Sequence, residues 1–110
     1  MTDQAILIYC TCPDINSGQQ IAQALVEENL VACVNLLPQM LSIYRWQGKL
    51  QQDSECLLLM KTIQSQFTAI QNRVRQLHSY ELPELISVSI SDGLPEYMDW
   101  IAQNSCKDLA

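Results

Sequence analysis

The side chains best suited to chemistry in this 110-residue chain are five cysteines, at positions 10, 12, 33, 56 and 106, and a single histidine, His78. Thiolate and imidazole are soft and borderline donors, matched to copper or zinc ions better than to calcium or magnesium. Cys10 and Cys12 stand two residues apart, so both point to one face of a strand if the strand continues that far. Asp14 lies close by as a further candidate ligand. Cys33 and Cys56 fall in apolar, strand-like runs and read as core packing, and Cys106 reads as an incidental thiol in the tail. An odd count with members in apolar runs favours reduced thiols over a disulfide framework. The plain alternatives are a small apolar residue ending a core strand for Cys10 and a favourable charge at a helix C-terminus for His78.

Other chemistries leave no signature. The chain carries no Gly-rich phosphate loop, nucleophile elbow, metal-protease motif or dinucleotide fingerprint. A nucleophilic Cys10 with His78 as its base would need hydrogen-bond contact between the two. Binding or structural roles are therefore expected ahead of catalysis. Twelve acidic against six scattered basic side chains give a formal charge of −6, which repels phosphate backbones and argues against a nucleic-acid partner. The longest apolar runs, such as Cys56 to Met60, fall far short of the roughly 18 residues that span a bilayer. Mean hydropathy is +0.00, and no membrane association is expected. The start, Met1-Thr2-Asp3-Gln4, shows no cationic segment followed by an apolar stretch, so a cytoplasmic location is the expectation.

The elements that would position these residues follow from pattern. Ala5 to Cys10 is a short apolar run, closed by Pro13 and Asp14, and predicts a buried first strand. Ser17 with Gln20 three residues later matches a capping box, and Ile21, Ala22, Leu25 and Val26 recur at helical spacing to about Asn29. Val31 to Leu37 and Met40 to Trp46 predict one long strand bent at Pro38. Gln47-Gly48 signals a turn into a return strand from about Leu50 to Thr62. Ser65 is placed to cap a second helix with Phe67, Ile70, Val74 and Leu77 on one stripe, ending near His78. Leu85 to Ile90 predicts a fourth strand. Pro95 opens a last helix with Tyr97, Trp100 and Ile101 on its buried side.

This order, βαββαβ plus a helix in one domain spanning 1–110, predicts an α+β sandwich that resembles the ferredoxin-like fold, an antiparallel sheet with helices on one face. Arms of roughly 13 to 16 residues are more than twice the usual strand length of about 5 to 6. Tyr44 and Trp46 on the outer half of such a hairpin call for another chain to pair with it, so self-assembly is expected there.

Several segments, in this order and spacing, resemble the CutA family, named for divalent-cation tolerance. They are Cys-Thr-Cys-Pro-Asp (10–14), Leu-Val-Ala-Cys-Val-Asn (30–35), Ser-Ile-Tyr-Arg-Trp-Gln-Gly-Lys (42–49), Glu55, Lys61-Thr62, Tyr-Glu-Leu-Pro-Glu (80–84), and Tyr97 with Trp100. The resemblance runs nearly end to end. It implies a homotrimer with strands pairing between subunits, and copper or another divalent transition metal held at Cys10 and His78. Leu77 and Ser79 depart from the histidine and proline that some relatives carry beside that histidine. The resemblance also brings Tyr44, Trp46, Lys61, Tyr80, Glu84 and Trp100 together in clefts between subunits. There they would either stitch the trimer or form a small-ligand site for an anion or metabolite, making the protein a scaffold or sensor with only incidental metal binding.

Overall fold

The computed structural model describes residues 3–106, so the first two residues of the start read above lie outside it. Eight residues, Ala5–Cys12, form β1, two more than the apolar run suggested. The extension carries Cys12 onto the face that Cys10 occupies. Asp14 then caps α1 (Ile15–Glu27): the Ser17 backbone N–H donates to its Oδ1 at 2.8 Å. Ser17 therefore sits three residues inside the helix rather than capping it, because Asp14 is the residue with extended backbone and an oxygen in reach. The helix closes with Asn29 at φ 59 and a Leu30 N–H bonded to the Leu25 carbonyl, a Schellman ending that uses the tolerance of Asn for left-handed backbone.

β2 (Cys33–Trp46) and β3 (Lys49–Ile63) make the long hairpin, joined by Gln47 and Gly48, both at positive φ as a tight two-residue hairpin turn requires. Pairing slips between Leu37, opposite Leu57, and Met40, opposite Glu55. Pro38 and Gln39 thus stand against one residue of β3 in a β-bulge, with Gln39 at φ 62. Pro38 has no N–H to give the ladder, which makes this the place for pairing to break.

A turn of 3-10 helix (Gln64–Gln66) leads into α2 (Phe67–Leu77). Ser65 does not cap α2 with its side chain; its backbone N–H donates to Asp3 Oδ1 at 3.2 Å. β4 (Ile86–Ser89) is an edge strand on β1, and α3 (Pro95–Asn104) follows. The sheet order is β2-β3-β1-β4, all antiparallel, which is the ferredoxin-like arrangement.

α1 and α2 pack Ile21, Leu25, Ile70 and Val74 onto the sheet face made by Ile6, Ile8, Cys10, Leu58 and Met60. The third helix lies across the sheet. The Lys61 ammonium projects from the opposite face of β3 to within 6.0 Å of the Tyr97 ring, so α3 covers one end of the second face instead of joining the other helices. Only Ile101 on α3 is buried; Tyr97 and Trp100, expected inside, are 40% and 41% exposed. The rest of that second face is open in the single chain, as Ile86, Val88 and Leu37 show, and the outer hairpin exposes Leu41, Ile43 and Leu50.

Leu58 is fully buried at the centre of the helix-covered face. Leu58→Ala should lower unfolding free energy by about 2–5 kcal/mol in a urea titration at fixed protein concentration. A change within about 0.5 kcal/mol, as surface substitutions give, would place the core elsewhere.

Candidate functional site

Strand alternation and one helix end build the sulfur site. Cys10 and Cys12 project from the same face of β1 into the core, both 0% exposed. His78 is the C-cap of α2, and its extended backbone turns the ring back toward the end of β1. One ligating atom from each of Cys10, Cys12 and His78 lies within 4.8 Å of the others. Asp14 is outside this group, exposed, with its carboxylate occupied by Ser17.

The two thiols share protons unequally. Donation toward Cys12 and burial push Cys10 far above the ordinary thiol range. The same hydrogen bond, helped by His78 and opposed by burial, brings Cys12 down to about 6. Each sulfur is thus the other's main electrostatic neighbour, and metal binding requires the thiolate form.

His78 is held by backbone on both sides. Its Nε2 donates to the Thr11 carbonyl at 2.6 Å, and its Nδ1 accepts the Tyr80 N–H at 3.0 Å. An acceptor on one side and a donor on the other fix the neutral Nε2–H tautomer. Contact with Cys12, then with Thr11, raises the His78 pKa against burial, but a protonated ring would set two N–H groups against each other at Nδ1. No nitrogen lone pair remains to serve as base for a thiol. The donor set suits a thiophilic transition-metal ion rather than calcium or magnesium, which take oxygen ligands. The two sulfurs fit as they stand, whereas His78 must release Thr11 or Tyr80 to join them.

A cleft of about 740 Å³ adjoins this site, lined by Thr11, Tyr44, Trp46, Glu55, Tyr80 and Glu84 among others. The bulge in β2 brings the aromatic pair there: pairing of Met40 with Glu55 puts Ser42, Tyr44 and Trp46 on the Glu55 face. Tyr44 donates its hydroxyl to Asp53, and Tyr80 donates to Glu55 Oε2 at 2.7 Å. Burial, then the bond to Glu55, holds the Tyr80 phenol above its usual range. Glu55 itself is only 8% exposed. It was not among the candidate site residues, although a lone charge heading the apolar run Cys56 to Met60 is a signal the sequence offers.

Lys61 and Trp100 lie elsewhere within the chain. Six residues separate Lys61 from Glu55 on β3, about 20 Å at strand rise. Lys61 Nζ donates to Asn35 Oδ1 at 2.5 Å and sits 3.9 Å from Cys33 Sγ, its cross-strand neighbour. Cys33 is accordingly half-buried on the second face, not packed in the core like Cys56. Tyr97 stacks on Trp100 with ring centroids 5.5 Å apart, beside Lys61.

Removing the His78 ring leaves the Thr11 carbonyl and Tyr80 N–H without their partner. His78→Ala should therefore destabilise the metal-free protein by about 1–3 kcal/mol in urea. An unchanged midpoint would show that the ring does not fasten the 78–80 segment to β1.

Residues 6–104 match the family model described as CutA1 divalent ion tolerance protein. The divalent-cation tolerance protein CutA of Thermus thermophilus is 45% identical over 99 residues, covering 90% of this chain and 96% of that protein. The CutA homolog of Xenopus laevis is 47% identical over 93 residues; the match covers 84% of this chain but 62% of the frog protein, which is the longer of the two. The crystal structure of CutA from Xylella fastidiosa superposes with a TM-score of 0.90 at 46% identity, over 94% of this chain and 99% of that one. End-to-end coverage in both sequence and fold leaves one assignment: the chain belongs to the CutA1 divalent ion tolerance family.

Proposed function

We propose that this protein binds a thiophilic transition-metal ion, copper foremost, and acts by holding the ion rather than by turning over a substrate. The observation that carries this reading is the convergence of Cys10, Cys12 and His78 with ligating atoms within 4.8 Å. Cys10 and Cys12 would hold the ion as thiolates. A pair of buried sulfurs in a site closed to water favours a soft d10 ion such as Cu(I). His78 would complete the shell by giving up one backbone bond, so its share of the affinity is the smaller.

We further propose a homotrimer. The open half of the second sheet face and the exposed Leu41, Ile43 and Leu50 of the hairpin support association with other copies. The number three is what the family resemblance implies.

Two measurements test these readings. In competition titration of reduced protein with Cu(I), one ion per subunit should bind. Cys10→Ser and Cys12→Ser should each weaken it by roughly a hundredfold or more, and His78→Ala by about tenfold to a hundredfold. Binding insensitive to both cysteine substitutions would overturn the site. Light scattering at dilute concentration should give three times the 12.5 kDa subunit mass. Ile43→Asp should lower that mass, and a wild-type species at the single-chain mass would remove the trimer.

A further inference from the structure

Cys56 is a buried thiol to which the copper reading gives no task. It is 1% exposed, yet it does not belong to the group of ligating atoms made by Cys10, Cys12 and His78. The register of the sheet places it directly opposite Cys12, which is 0% exposed on the same helix-covered face. The other cysteines are not paired in this way. Cys10 faces Leu58, Cys33 faces Lys61 on the other side of the sheet, and Cys106 follows the last helix.

The spacing of the pair follows from the ladder. The Gln64 N–H donates to the Gln4 carbonyl at 2.8 Å, and these two residues are opposite each other when the register from Ala5 and Ile63 is continued by one. Hydrogen-bonded pairs recur at every second position of β1, so Cys12 and Cys56 are one of them, with Cα atoms about 5.5 Å apart. That separation is inside the range of about 4.4–6.8 Å that disulfides span. Directly opposite Cβ atoms are about 4.5–5.5 Å apart, so closing the bond takes roughly 1 Å of approach. Along β1, in contrast, Cys10 and Cys12 are about 6.8 Å apart, with Cβ bonds that run side by side instead of converging.

Local structure leaves room for that movement. Cys12 is the last residue of β1, and Cys56 is the residue of β3 that Pro38 and Gln39 stand against in the bulge. Above it, Gly18 of α1 has no side chain; a Cβ there would come within 3.3 Å of the Cys56 sulfur. The pair therefore sits where both neighbours of β3 are least continuous. Local opening at such a place admits a small oxidant to thiols that the closed surface covers.

We propose that Cys12 and Cys56 form a reversible dithiol–disulfide pair, oxidised by a hydroperoxide, whose closure takes Cys12 out of the sulfur site. One sulfur attacks the O–O bond of hydrogen peroxide, giving a sulfenic acid and one water. The opposite sulfur then displaces that hydroxyl as a second water, and the S–S bond forms. Two thiol hydrogens and two electrons leave the cysteines, and the peroxide is reduced to water. Excess dithiol reverses the bond by exchange. The bond itself is independent of the metal reading, whereas its effect on the site rests on Cys12 being a ligand there.

The test treats reduced, metal-free protein with hydrogen peroxide in the presence of a chelator, then unfolds it and alkylates it with N-ethylmaleimide. All but two of the five thiols should alkylate, and all five should after dithiothreitol. Peptide mapping should join Cys12 to Cys56. Cys56→Ser should abolish the bond, with circular dichroism to show that the variant is folded, and Cys10→Ser should keep it. A disulfide joining Cys10 to Cys12, a bond between chains, or oxygen added stably to Cys12 would overturn the proposal. So would five free thiols in peroxide that oxidises the urea-unfolded chain. The disulfide form, freed of peroxide, should bind Cu(I) roughly a hundredfold more weakly in competition titration, as Cys12→Ser does. A mapped bond that left Cu(I) affinity unchanged would overturn the effect on the site and, with it, Cys12 as a ligand. Absence of the bond in protein that loses Cu(I) on Cys12→Ser would overturn the pair and leave the metal reading standing.

Discussion

The antiparallel register between β1 and β3 is the constraint on which the subunit depends. It sets Ala5 opposite Ile63 at one end and Cys12 opposite Cys56 at the other. Because β3 is bonded on both sides, this register also decides what β2 can present, and because β1 carries β4, it decides where the loop after α2 returns. With side chains alternating strictly, Cys10 and Cys12 join Leu58 and Met60 beneath the helices while Thr11 and Glu55 share the opposite face. A slip of one residue would exchange these sets, emptying the sulfur site and placing thiols in the cleft.

The two sites are neighbours across one strand, and His78 is where they meet. Its ring clasps the Thr11 carbonyl at the end of β1 and receives the N–H of Tyr80, the residue whose hydroxyl reaches Glu55. A metal ion that recruited the ring would have to loosen one of these bonds. The 78–80 segment would then be less firmly held, and with it the Tyr80 wall. One side chain thus fastens the end of β1 to the segment that carries Tyr80.

Element order, the long hairpin and its turn were legible in the sequence because each rests on periodicity or on a Gly-containing turn. The caps were less so. Ser17 and Ser65 had the right residue type, but before α1 the extended residue with an oxygen in reach is Asp14, and α2 continues a 3-10 turn whose extended residue is Ile63, so no side chain caps it. The side of the sheet taken by α3 was not legible, since an amphipathic pattern shows that a face is buried and not against what. Tyr97 and Trp100 suffered for that reason: half-exposed on the single chain, they looked like core residues in a stripe with Ile101. Cys10 and Cys12 could be put on one face by counting residues. Their proximity to His78, 66 residues further on from Cys12, is a tertiary fact that came only with the fold.

The bulge at Pro38 and Gln39 has a consequence for how the hairpin encodes its surface. β2 is written in two reading frames: before the bulge the odd-numbered residues Cys33, Asn35 and Leu37 face away from the helices, and after it the even-numbered Ser42, Tyr44 and Trp46 do. The shift of frame is worth one residue. Loss of a single codon there would close the bulge and leave Met40 opposite Glu55 and Tyr44 opposite Gln51, whereas an unbroken ladder through both residues would trade Tyr44 and Trp46 for Ile43 and Arg45. The aromatic character of the cleft is thus specified by the bulge that absorbs the extra residue as firmly as by the rings themselves.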